Sequence, residues 1–473
     1  MVKKMDLIDI KKCQKLSNKQ IQKLYSQYIN PGLTESLNVF SFGNDVVKSA
    51  NGSKIKLKNK KTILDLTGGL GVLNFGHNPK EILRERISFQ KKNNMEVHKN
   101  FFSQYSAGLA HNLAQILPGN INYSYFCNSG AEAIDGAIKL AYKYYNGKRK
   151  YILHSDIAFH GKLLGSLSIS NYKESTFKFP TINFSKKYKF NNCDSLKKII
   201  EKNKKNIFAI IVEPYSASTY RENSPEFLKL CRELSDKYDI KLIFDEIYTG
   251  FGKARDMFYC NSVNVIPDIL ILSKSFGGGK SSISAYSTNK KTLKKSYGNL
   301  NDALLHSTTY NGFGEECVTA MAAIDIMVKK ELHKNSKHIE TKLKPNFLDF
   351  KKKFPNKISE YRGLGTMHGF VFHTKFLPIK KIQKLLPISV LKDDKFLDKL
   401  LASALMDDLY KSFNILSTIK YNQEVILCVE PMLVVSDKDL NYCIKSLNKL
   451  FQKDFGKMIL KFILNSLKRK LFK

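Results

Sequence analysis

Lys241-Leu-Ile-Phe-Asp245-Glu246-Ile247-Tyr248 and, further on, Asp268-Ile-Leu-Ile-Leu-Ser-Lys274-Ser275 share one design. In each, a short and almost wholly apolar run leads to a group that ionises. Runs of this length, bounded by polar and glycine-rich text, read as strands buried on both faces of a parallel sheet. The surrounding text keeps the rhythm. Tyr123–Cys127 reads as a strand, and Ala131–Tyr145 carries Ile134, Ala137, Ile138 and Ala141 at helical spacing. Ile207–Val212 is a β-branched strand, and Pro225–Tyr238 a helix with proline at its start. Upstream, Thr62–His77 runs from a strand into a glycine-punctuated loop. Strand and helix alternating in this way predict an α/β fold with a mostly parallel sheet covered by helices. Ligands of such sheets gather at the carboxyl ends of the strands.

Three segments at those ends carry chemistry. Asn128-Ser129-Gly130-Ala131-Glu132 follows a strand and opens a helix, so its free N–H groups suit a phosphate. Asp245 emerges from apolar residues and needs a cationic partner; on this segment alone a helix cap or a metal ligand is an equal reading. Lys274 ends a buried strand, where burial lowers the amine's pKa and frees it for Schiff-base chemistry. The adjoining Gly277-Gly278-Gly279-Lys280-Ser281 is not a nucleotide P-loop, because that motif needs glycine where Lys274 stands. A phosphate cradle, a ring-facing carboxylate and a Schiff-base lysine together make the parts of a pyridoxal 5′-phosphate (PLP) site.

The rest of the composition narrows the class. The chain has 473 residues, 43% hydrophobic and 25% charged, enough for more than one domain. It has no apolar run of membrane-spanning length, and Met1–Asp6 opens without the apolar core of a signal peptide, so a cytoplasmic location is expected. The eight cysteines are scattered with no pair at CxxC spacing, which argues against a zinc site or a disulfide framework; no metal is expected. The net charge of +36 would draw polyanions non-specifically. Yet only eight of the 78 basic residues are arginine and the lysines are spread end to end, so no specific nucleic-acid partner is expected.

From about Ile63 to Ile324 the chain resembles the class III (ornithine/ω-type) aminotransferases of PLP fold type I. The resemblance runs in order through Gly76-His77-Asn78-Pro79, Ser129-Gly130-Ala131-Glu132-Ala133, Phe159-His160-Gly161 and Glu213-Pro214. It continues through Asp245–Lys253, Ser273-Lys274 and His306-Ser307-Thr308-Thr309-Tyr310. It implies a seven-stranded-type large domain, a smaller α+β C-terminal domain, PLP as cofactor, and a homodimer with shared active sites. It implies that Lys274 holds the cofactor as a Schiff base and moves the substrate proton. Asp245 would pair with the ring nitrogen, while Ser129, Gly130 and Ala131 hold the phosphate. Phe159, with His160 beside it, and Ile247 would face the two sides of the ring, with Glu213 a structural acid nearby. Thr309, next to Thr308, would reach the phosphate of the neighbouring subunit's cofactor. The implied reaction moves an amino group from an amine or amino acid to an oxo acceptor; a racemase, aminomutase or amine lyase on the same fold is the alternative.

Two substitutions set the substrate pocket apart. Cys428 stands where 2-oxoglutarate-using relatives carry a carboxylate-clamping arginine, and Ser218 stands where they carry its glutamate partner. Losing both together leaves no orphaned ion. Arg221 is the candidate replacement cation, and Tyr215, Tyr220 and Tyr248 would line a larger, more aromatic pocket, fit for a bulky amine or a carrier-linked substrate. Lys253-Ala254-Arg255 replaces the family's Arg-Thr-Gly, a change the sequence does not explain. The expected division is an N-terminal segment 1–60, a large PLP-binding domain 61–330, a small domain 331–455 and a basic amphipathic tail 456–473. In that tail Met458, Ile459, Phe462, Ile463, Leu467 and Leu471 share a face. It would dock on the protein's own body or, less favoured, touch an anionic membrane surface.

Overall fold

Ile207–Val212, Lys241–Asp245 and Ile269–Leu272 are buried at every position and lie side by side, parallel, at the centre of a seven-stranded sheet. In this computed structural model, which describes residues 7–171, 179–374 and 393–471, the sheet is completed by four further strands. Tyr151–Ser155 and Ser185–Tyr188 extend it in parallel on one side; Ser284–Asn289, antiparallel to both its neighbours, and then Ile121–Cys127 extend it on the other. Alternate side chains serve opposite faces: Leu242 and Phe244 enter one core, Ile243 the other. Burial on both faces is why these strands are continuously apolar. The charged opening Met1–Asp6 lies outside the described residues, as does the side chain of Leu471.

The second half builds a smaller antiparallel sheet from Ile358–Leu364, Met367–Phe372, Ile426–Val429 and Thr418–Lys420. The first two of these strands form a hairpin, because Gly365 at φ +58° turns the chain back on itself. Helices Lys334–Lys353, Phe396–Phe413, Asp437–Gln452 and Phe455–Leu471 pack on this sheet around a phenylalanine-rich core. A third small sheet joins the hairpin Val47–Asn51/Lys54–Leu57 to Thr62–Asp65 and Ile415–Leu416. The two larger units share apolar contacts: Leu364, Met367, Ile426 and Cys428 belong to the core beneath the seven-stranded sheet. That sharing brings the end of the small sheet over the carboxyl ends of the central strands.

The tail is part of the body. Met458, Ile459, Phe462 and Ile463 are buried in the small-sheet core, and the guanidinium of Arg469 donates to Ser41 and to the Val39 carbonyl. Leu464 and Leu467 remain exposed. Six of the eight cysteines are buried, Cys13 and Cys193 excepted, and all are free thiols. Among the described residues no helix is long and apolar enough to cross a membrane and no cluster could hold a metal ion.

Candidate active site

The three strand ends marked in the sequence converge on one cavity of about 240 Å³. Its walls include Gly130, Ala131, Phe159, His160, Glu213, Asp245, Ile247, Tyr248 and Lys274. Each arrives for a local reason. Helix Gly130–Tyr144 begins at Ser129, whose hydroxyl accepts from the Glu132 N–H while Glu132 accepts from the Ser129 N–H. That capping box fixes the helix start and aims its positive end at the cavity. Gly130 leaves room for Ile247, whose Cδ1 a Cβ at this position would approach to 2.9 Å.

Asp245 ends its strand with one carboxylate oxygen accepting from the Ile247 N–H at 3.0 Å. The other meets His160 Nδ1 at 2.7 Å. The remaining ring nitrogen of His160 is buried without a hydrogen-bond partner. Glu213 accepts from the N–H groups of Phe159 (2.9 Å) and Ala217 (3.0 Å), pinning the main chain that carries Phe159. Burial pushes its carboxyl up to about 7.

Lys274 sits at φ +51°, a left-handed conformation that costs a side-chain-bearing residue on the order of 1–3 kcal/mol. The hydroxyl of Ser275 donates to the Gly71 carbonyl at 2.8 Å and holds the turn. The Lys274 amine lies 3.8 Å from the centre of the Tyr248 ring. Burial first, and the Lys420 ammonium second, push its pKa down to about 7. A residue larger than glycine at position 71 would strike both Tyr248 and Lys274.

An adjoining cavity of about 290 Å³ forms the mouth, walled by Leu70, Phe159, Ala217, Ser218, Tyr248, Lys274, Ile419, Lys420, Tyr421 and Asn422. Ser218 lines it and accepts from the Asn422 amide at 3.0 Å. Four other expectations need correction. Arg221 turns outward to Glu424, since a surface carboxylate is a nearer and wetter partner than the cavity. Cys428 is fully buried inside its strand, with its thiol directed at the Ile426 carbonyl. Tyr215 is packed in the core, and Tyr220 lies behind Tyr248 with its hydroxyl on Glu430. Of the three tyrosines, Tyr248 is the one in the walls, so the pocket is less aromatic than expected.

Behind Tyr248 lies a group that sequence reading missed. Glu430 has no exposed surface; it pairs with Lys253 at 3.2 Å and Lys420 at 3.2 Å and accepts from the hydroxyls of Tyr220 and Tyr248. Burial opposes its ionisation, yet the two ammonium groups hold its pKa down to about 2. This accounts for Lys253. Arg255, the other departure in that segment, donates twice to Glu340, at 2.7 and 2.6 Å. Thr308 and Thr309 stand apart from the cavity: Thr309 is exposed and the Thr308 N–H donates to the Tyr125 hydroxyl.

A helix start, a carboxylate oriented by a histidine, an aromatic wall and a buried amine of lowered pKa fit the phosphate, ring nitrogen, ring face and aldehyde of PLP. Fold and site together define a PLP fold type I enzyme. Residues 41–451 match the model of the class III aminotransferases, and the chain belongs to that family, whose cofactor is PLP and whose reaction is transamination. Racemase, aminomutase or lyase chemistry is correspondingly not favoured. Among solved structures, the ornithine aminotransferase of Toxoplasma gondii is similar at 19% identity and a TM-score of 0.78, over 95% of this chain and 98% of that one. An ω-aminotransferase from Paracoccus denitrificans is similar at 19% identity and 0.76, over 88% and 94%. A transaminase from the marine bacterium Virgibacillus is similar at 22% identity and 0.75, over 89% and 93%. At these identities the likeness is one of fold.

Proposed function

We propose that Lys274 is the amine that joins PLP and that carries the proton of the substrate carbon, and that Asp245 partners the ring nitrogen. The observation that supports this most is that both groups wall one cavity with the helix start at Gly130-Ala131, Phe159 and Ile247. When bound, PLP supplies the electron sink that makes the proton next to the amine labile. The protein's residues do the rest. Asp245, fixed by His160 Nδ1, stabilises a positive ring nitrogen. Gly130 and Ala131 offer main-chain N–H groups to the phosphate, with Ser129 engaged mainly in the helix cap. Glu213 keeps Phe159 against one ring face, opposite Ile247. With its pKa near 7, Lys274 is neutral in a large share of molecules near neutrality, so it can attack an aldehyde and take up a proton.

The purified enzyme, loaded with PLP and given an amine donor alone, should accumulate pyridoxamine phosphate. Lys274→Ala should lose this conversion and the visible absorbance of the bound cofactor while keeping its fold by circular dichroism. Retained conversion in that variant would remove Lys274 from the mechanism.

The working unit we propose is a homodimer in which Thr309, beside Thr308, reaches the partner's cofactor phosphate. Phe101, Phe102, Leu300, Leu304 and Tyr310 are exposed apolar side chains in segments joined near Asn128, at the start of the phosphate helix. Covering them with a second copy would bury an apolar patch that a soluble monomer rarely leaves open. The functional division we propose remains 1–60, 61–330, 331–455 and 456–473, with Thr62–Asp65 a strand shared with the N-terminal hairpin. A cytoplasmic location fits this reading, and cell fractionation tests it. Weak contact of 456–473 with an anionic membrane would rest on Leu464, Leu467 and nearby lysines; vesicle flotation tests it.

A further inference from the structure

Two ammonium groups and one carboxylate meet behind Tyr248, and the count leaves one positive charge over. Lys253 and Glu430, both essentially without exposed surface, form one pair. Lys420 also reaches Glu430 at 3.2 Å, but its side chain keeps 13% of its exposure, and it lines the cavity mouth together with Lys274. Its ammonium donates to the Ala217 carbonyl at 2.8 Å and to the Tyr248 hydroxyl. A surplus cation at the wall of a half-enclosed cavity is costly to keep and attracts an anion. Glu430, held ionised by both lysines, is already shared, so it does not cancel the second charge.

Among the described residues, neither Cys428 nor Arg221 takes this place. Cys428 is neutral and sealed in its strand, and Arg221 is spent on Glu424. The mouth that Lys420 lines also has apolar walls, among them Leu70 and Ile419. We infer that Lys420 binds the carboxylate of the substrate, and that the substrate is an amino acid whose aliphatic stem lies between Leu70 and Ile419 with its amine at Lys274. This rests on the transaminase reading above and goes beyond it by naming the substrate class and the residue that selects it. Binding exchanges one of the present acceptors of Lys420 for a carboxylate oxygen; no covalent bond changes. A lysine is a point charge on a flexible stem, so it tolerates several stem lengths where a bidentate arginine would demand one geometry.

The test uses the PLP-loaded enzyme and matched donors: linear ω-amino acids of three to six carbons, each beside the n-alkylamine of the same length. Apparent affinity is read from single-turnover conversion of the bound cofactor. In Lys420→Met the affinity for the amino acid should fall about 10- to 100-fold, the scale of a lost hydrogen bond to a charged group. The matched alkylamine should lose at least tenfold less, and Lys420→Arg should recover most of the preference. Equal losses for both members of each pair would make Lys420 a structural residue and overturn the inference, as would no loss for either. On the unmutated enzyme, butanoate to hexanoate should compete with the amino acid while the matched n-alcohols do not. Absence of that competition would overturn the inference without reference to how any variant folds. If the wild-type enzyme converts its cofactor with none of the amines, α-amino acids included, the transaminase reading itself fails and this inference falls with it.

Discussion

The reactivity proposed for Lys274 follows from where the chain leaves its amine. A lysine on the surface keeps its proton to about pH 10 and makes a poor nucleophile below that. Here burial, followed by the nearby Lys420 charge, lowers the pKa to about 7. The protonated amine cannot attack an aldehyde, so the apoenzyme should take up PLP faster as pH rises through about 7 and then reach a plateau. Stopped-flow absorbance from pH 5.5 to 9 would show this midpoint; a rate still rising beyond pH 9 would mean that the amine is not shielded. Residues at this scale were legible to different degrees. Asp245 and Lys274 stood out because each ends an apolar run, where an ionisable group has to be explained. The cluster of Glu430, Lys253 and Lys420 did not, because Lys420 and Glu430 meet through the pairing of Thr418–Lys420 with Ile426–Val429, and Lys253 joins them only when the small sheet closes over the large one. The hint in the sequence was Lys253 itself, part of the unexplained replacement of the family's Arg-Thr-Gly by Lys253-Ala254-Arg255.

Among the elements, the turn after Asp245 shows how a departure from a familiar pattern can be compensated. Arg255 occupies a position with φ +76°, a conformation natural to glycine and strained for arginine. Its two hydrogen bonds to Glu340 tie this turn to helix Lys334–Lys353, and Glu340 also accepts from the Gly365 N–H at 2.9 Å. Arg255→Ala keeps the strain and loses the tie; Arg255→Gly loses the tie but relieves the strain. Glycine should therefore be the more stable variant by about 1 kcal/mol, with both below the wild type. Urea unfolding measures the order, and alanine above glycine would show that the turn is not strained. Strands and helices of the large sheet were readable because their apolar period is local. The hairpin at Gly365 and the short strand Ile415–Leu416 were not, because pairing partners far along the chain define them.

At the level of the whole molecule, the proposed homodimer would account for two features together: the exposed apolar side chains near the site and the position of Thr309 outside its own cavity. Replacing Phe102 and Leu300 together by aspartate should yield a monomer in sedimentation velocity and should weaken PLP retention, because the partner's threonine is withdrawn. A variant that remains dimeric, or a monomer that retains PLP fully, would contradict the shared site. In the tail helix Ile459 and Phe462 fill the small-sheet core.

In the proposed mechanism a single amine among this protein's many lysines, that of Lys274, forms the bond to PLP. Reducing the loaded enzyme with borohydride would fix that bond, and peptide mass spectrometry would locate it. The account predicts the pyridoxyl phosphate mass on the peptide containing Lys274 and on no other at equal stoichiometry. Labelling centred on Lys253, Lys280 or Lys420, with Lys274 unmodified, would contradict it.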